Sequence, residues 1–186
     1  RAKLVSVFLG VNLVSAVVGG LVMWQITEKV AERVGARYQS TATDLLDKID
    51  RNLFERYGDV QAFGLNTVVQ DKEQWYKPPA ENRIAAVMNK YVAAYGMYSI
   101  TLMVDLDGKV VAVNNKGADG KAVATDFIYE MNFSKEPWFR DALQERFLKS
   151  DQLSGTVVED VYVDPLVQKA YGDEGLTVGF TAPVKD

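Results

Sequence analysis

From Leu4 to Trp24 the chain runs for 21 residues without a charge, and from Gln25 onward polar and apolar positions recur at helical spacing. A helix rises about 1.5 Å per residue, so the apolar run reaches across the ~30 Å hydrocarbon core of a bilayer. Twelve of its residues are Leu, Val or Phe. On a per-residue insertion scale these favour the membrane by roughly 4 to 7 kcal/mol. Beyond it, Ile26, Val30, Val34, Tyr38 and Ala42 are four apart, and Leu45 or Leu46, Ile49, Leu53, Tyr57 and Val60 continue the stripe. No proline interrupts residues 26–69, so the pattern predicts one long helix continuous with the membrane span. Gly35, Gly58 and Gly64 weaken it locally. A helix of that length needs something packed along it. We expect a second copy along its lower half and the domain's own sheet against its upper half.

Lys77-Pro78-Pro79 ends this pattern. A second helix is predicted over Ala80–Tyr95, with Ile84, Val87, Met88, Tyr91 and Val92 on one face and Gly96 as its stop. Next come two strands, Tyr98–Leu106 and Lys109–Asn114, joined by Asp107-Gly108, the signature of a two-residue type I′ turn. Pairing outward from that turn sets Val104 against Val111 and Leu102 against Val113 on one face. The other face then holds Met103 with Ala112 and Thr101 with Asn114, small and mildly polar enough to line a ligand cavity. After Phe127–Phe133, Ser134 is placed to cap a helix running to Leu148, with Pro137 in its first turn. Strands follow near Thr156–Val163 and Leu176–Pro183, with the irregular Asp164–Gly175 between them. The chain stops where another strand is expected, so it reads as part of a longer receptor.

Charge and composition narrow the function classes. Arg1 and Lys3 precede the apolar run, which puts the N-terminus in the cytoplasm and residues 25–186 outside it. The run is too long for a cleaved signal peptide, and no small-x-small site follows Trp24 directly. Without Arg1 and Lys3, 19 basic side chains face 25 acidic ones, so no basic surface for nucleic acid is expected. The absence of histidine removes Ser-His-Asp and Cys-His catalysis and His-ligated zinc. The absence of cysteine leaves no disulfide framework. Gly117-Ala118-Asp119-Gly120 is a turn and not a phosphate loop, and Asp105-Leu106-Asp107-Gly108 lacks the ligand spacing of a calcium loop. No cofactor motif is present. A membrane-anchored hydrolase would have to rely on paired carboxylates such as Glu136 and Asp164, and we expect no enzyme.

Two stretches resemble a known family. Glu136-Pro137-Trp138-Phe139-Arg140-Asp141-Ala142 is similar to the Pro-Trp-Tyr-x-x-Ala helix start of extracytoplasmic Cache domains. Val161-Tyr162-Val163-Asp164-Pro165, with Gly175–Val184 after it, resembles their Tyr-x-Asp strand end and the neighbouring strand closing in Ala-Pro. The order of anchor, long helix, hairpin and these motifs resembles bacterial chemoreceptors (methyl-accepting chemotaxis proteins) with a double Cache sensor. The resemblance implies an α+β fold: a transmembrane helix running into a long helix, packed on a PAS-like antiparallel sheet whose C-terminal strands are missing here. It divides the chain into a cytoplasmic 1–3, a membrane span 4–24, a long extracytoplasmic helix 25–75 and a sensor module 76–186. Ser15-x3-Gly19 and Ala16-x3-Gly20 offer small-residue faces within the span.

The implied ligand site holds Trp138, Phe139, Tyr162 and Asp164, with Tyr129 and Met103 as further lining. In the amino-acid-binding branch an arginine holds the ligand carboxylate, and Glu136 stands at that position here. A carboxylate cannot pair a ligand carboxylate, so the departure points to a cationic amine held by Glu136 and Asp164 among aromatic rings. The expectation is therefore the sensory part of a homodimeric receptor in the bacterial inner membrane. The same sensor on a histidine kinase or cyclic-dinucleotide enzyme is the alternative.

Overall fold

The computed structural model describes residues 2–150 and 153–185; Arg1, half of the expected positive flank, and Asp186 at the end of the chain lie outside them. Helix α1 spans Ala2–Gly64 without a break. From Leu9 on it is long and apolar enough to cross a membrane, and its apolar side chains there, Leu13 and Trp24 among them, are exposed. The helix ends at Gly64, just past the last position of the apolar stripe at Val60. Asn66 caps the one-turn α2 (Thr67–Gln70), and a 3-10 turn follows at Lys72–Gln74. The chain falls into two compact units, residues 1–52 and 53–186.

In the second unit, helix α3 (Arg83–Tyr95) starts later than the pattern suggested because Asn82 is its cap. The Asn82 side chain accepts from the Ile84 and Ala85 N–H groups at 2.9 and 3.2 Å and donates to the Val111 carbonyl at 2.9 Å. That one buried amide closes two orphan donors of the helix and ties it to the sheet. Gly96 ends α3 at φ +71°, as read from the sequence.

Strands β1 (Leu102–Val104) and β2 (Val110–Val113) form the expected antiparallel hairpin, with Leu102 opposite Val113 and Met103 opposite Ala112. Nearer the turn the register slips, and Val104 meets Val110 instead of Val111. The turn is not type I′. Asp105 N–H donates to the Lys109 carbonyl, and the Asp105 carboxylate accepts from the N–H groups of Asp107 and Lys109. Only Gly108, at φ +77°, is left-handed, which makes a three-residue loop with the bulge such loops carry.

Both faces of the hairpin are core. Met103, Val111 and Ala112 pack with Val69, Ile84, Ala85 and Met88, so the face expected to border a ligand is filled by α3. Val110 and Val113 pack with Ile128 and Phe133, backed by Trp138 and Leu166. The upper part of α1 does not cover this sheet; α3 does. The distal end of α1 docks elsewhere: Phe63 stacks on Tyr91 at 4.0 Å, and the Tyr57 hydroxyl donates to the Leu148 carbonyl at 2.7 Å. Thr156, fully buried, donates its hydroxyl to the Tyr57 carbonyl at 2.8 Å.

The remaining elements are short. A 3-10 turn occupies Asp126–Glu130, and α4 covers only Pro137–Leu143, with Glu136 instead of Ser134 as the residue before its first turn. The two expected C-terminal strands are broken into β3 (Val157–Val158), β4 (Tyr162–Val163), β5 (Leu176–Thr177) and β6 (Phe180–Thr181). β3 pairs with β6 and β4 with β5, both antiparallel. The stretch expected to be irregular contains α5 (Pro165–Tyr171), with Asp164 as cap, Pro165 in its first turn and Gly172 at φ +72° closing it. The architecture is α+β, with small antiparallel sheets and helices packed around them.

Candidate functional site

The split ladder brings acidic side chains together. One residue past β3, the Glu159 N–H donates to the Gly179 carbonyl at 2.9 Å, continuing the β3–β6 pairing. The Glu159 carboxylate lies over the Gly179 backbone, where a Cβ would have to push its end aside. Tyr162 on β4 sits opposite Thr177, half-buried, and its hydroxyl donates to Asp164 Oδ2 at 3.2 Å. The other oxygen of Asp164 accepts the Leu166 N–H at 2.7 Å, so this residue both caps α5 and faces Tyr162. Glu136, exposed at the start of α4, makes no capping hydrogen bond.

The electrostatics follows from this placement. The Glu159 carboxyl is pushed above its ordinary range, first by burial, then by the negative charges of Asp164 and Glu136, with a hydrogen bond to Tyr162 opposing. Asp141 adds a weaker push, and it is itself paired with Arg146. The Tyr162 hydroxyl is pushed up by burial and by the charges of Asp164 and Glu159. Such a group of carboxylates favours any cation that can enter among them. Among the described residues, no three acidic side chains come together closely enough to hold a metal ion.

Of the seven residues singled out from the sequence, Glu136, Tyr162 and Asp164 belong to this cluster. The other four do not line it as expected. Phe139 is buried, and Trp138 leans on Phe133 with ring centroids 5.6 Å apart, in the core behind β2. The Tyr129 hydroxyl accepts from the Val113 N–H at 3.2 Å and so fastens the hairpin. Met103 lies in the core on the opposite face. Glu159 was missed. Its significance comes from Gly179 across the ladder, and that pairing could be read only once the register of β3 and β6 was known.

Two clefts open elsewhere. One of about 380 Å³ is lined by Gln61, Glu145, Phe147, Lys149 and Ser154, and one of about 460 Å³ by Phe127, Met131, Pro165, Leu166 and Lys169. None of the seven residues borders either. No protein-family model matches the chain, and neither a curated protein nor a solved structure does.

Proposed function

We propose that this chain is the extracytoplasmic sensing part of a membrane-anchored, homodimeric receptor of the chemoreceptor kind, and that its ligand is a small organic cation. The observation that carries the reading is the half-buried Glu159, on which the strongest neighbouring charges are all negative. A primary ammonium entering beside Glu159, Asp164 and Glu136 would relieve that repulsion, and the Tyr162 ring supplies a face for it. The anchor is the apolar first part of α1, long enough to span a bilayer. The module binds and does not turn its ligand over.

A screen of the full chain in detergent against amines, amino acids and organic acids tests this, because a bound ligand raises the melting temperature by mass action. Amines are expected to raise it. Glu159→Gln and Glu136→Gln are each expected to weaken the best amine at least tenfold, about 1.4 kcal/mol. A chain stabilised only by acids, or variants that bind the amine unchanged, would defeat the proposal.

A further inference from the structure

The larger of the two clefts, of about 460 Å³, lies between the Asp126–Glu130 turn and α5, and both of its walls are fixed by contacts elsewhere. Asp164 caps α5, and its backbone N–H donates to the Gly175 carbonyl at 2.8 Å. Further along α5, Val167 is buried and the Tyr171 hydroxyl donates to the Ser99 carbonyl at 2.6 Å. On the other side the turn is held by the buried Ile128 and by the Tyr129 hydroxyl, which accepts the Val113 N–H. A ligand entering between such walls does not have to order them, which lowers the cost of binding.

The lining is apolar except for two charges. Phe127, Met131, Pro165 and Leu166 make its surface, and Lys169 and Glu130 are its charged members. Met131, long and unbranched, is left 38 % exposed there. The Lys169 ammonium stands 3.9 Å from the centre of the Phe127 ring. That contact occupies one side of the ammonium, fixes its position and leaves N–H donors for another partner. Among the described residues, Lys169 makes no ion pair, Glu130 included. The cleft thus offers a positioned cation beside an apolar floor. A carboxylate completes the cation, and a hydrocarbon tail covers Met131 and Leu166. Lys169 repels an amine, and Glu130 repels a second carboxylate. We propose that this cleft is a second ligand site, for a small apolar monocarboxylate whose charged end meets Lys169. No residue of the acidic cluster around Glu159 lines it, and it does not rest on the amine reading.

The probe is para-fluorobenzoate, titrated into the full chain in lipid nanodiscs at neutral pH, where the acid is ionised, and followed by fluorine NMR. Saturable binding is expected. The uncharged para-fluorobenzyl alcohol, of similar shape, should bind about tenfold more weakly. Lys169→Gln should weaken the acid about tenfold and leave the alcohol unchanged. Glu130→Gln should tighten the acid about twofold and admit succinate, a dicarboxylate that the native cleft rejects. Both side chains are exposed, so neither variant is expected to change the melting temperature of the unliganded chain. Acid and alcohol bound alike, acid binding untouched by Lys169→Gln, or no saturation by about 10 mM would each overturn the proposal. Weaker acid binding in Glu130→Gln would overturn it too, since Glu130 would then be holding a cationic group of the ligand. A saturating amine should not displace the fluorobenzoate. Displacement would mean one shared site and would sink this proposal while leaving the amine reading in place.

Discussion

A half-buried carboxylate among other carboxylates is an unfavourable place for a charge, and Glu159 occupies one. Burial and the charges of Asp164 and Glu136 raise its folded pKa above the unfolded value. The folded protein therefore holds the Glu159 proton more tightly than the unfolded chain does. The stability gained from that proton is full below the unfolded pKa and is lost as pH rises through the folded one. Glu159→Gln removes the penalty on the ionised form, so it is expected to raise the melting temperature by about 2 °C or more at pH 7.5, with little gain at pH 4. Melts across that range check this, and an equal gain at both ends would mean packing, not charge. Glu136, Tyr162 and Asp164 were legible in the sequence because they stand in short motifs. Glu159 was not, since nothing local marks a carboxylate whose neighbour is a glycine twenty residues on.

Among the elements, the helix starts and stops were the readable part. Gly96 ends α3 as its position implies, and the long period of α1 is carried by one helix. The hairpin was legible as a hairpin but not in its turn, because Asp107-Gly108 is shared by two-residue and three-residue loops. The Asp105 carboxylate decides between them by accepting two N–H groups across the turn. Helix α5 was missed for a different reason. Its seven residues are too few to show a period, although Asp164-Pro165 and Gly172 are its start and stop signals. The turn yields a test. Gly108 is at φ +77°, and a Cβ there would meet the Ser134 backbone, which is held close by the Phe133 N–H to Gly108 carbonyl bond of 2.8 Å. Gly108→Ala is expected to cost about 2 kcal/mol or more, read as a lower urea midpoint with an unchanged slope. A loss under about 0.5 kcal/mol would show that the loop moves apart freely.

At the scale of the molecule, α1 changes character along its length. Its apolar side chains are exposed from Ile26 to Leu53, yet Tyr57 is 4 % exposed and the same stripe has become core. The periodicity could not show where that change falls, since both stretches carry the same spacing. The second unit begins at Leu53, which implies that the last three turns of α1 belong to it. Tyr57 accepts the Thr156 N–H at 3.2 Å and donates to Leu148, Phe63 stacks on Tyr91, and the Arg56 guanidinium lies 5.1 Å from the Tyr95 ring. Burial of Tyr57 and partial burial of Phe63 are together worth roughly 2–4 kcal/mol, a sizeable share of the 5–15 kcal/mol that holds a domain together. A chain beginning at Leu53 is therefore expected to fold and to melt in one cooperative step. A chain beginning at Asn66 lacks those side chains and should lose that step at 25 °C, as followed by near-ultraviolet circular dichroism. If both truncated chains melt alike, the end of α1 contributes nothing to the second unit. Ligand-driven changes around Tyr162 would then have no packed route to the long helix.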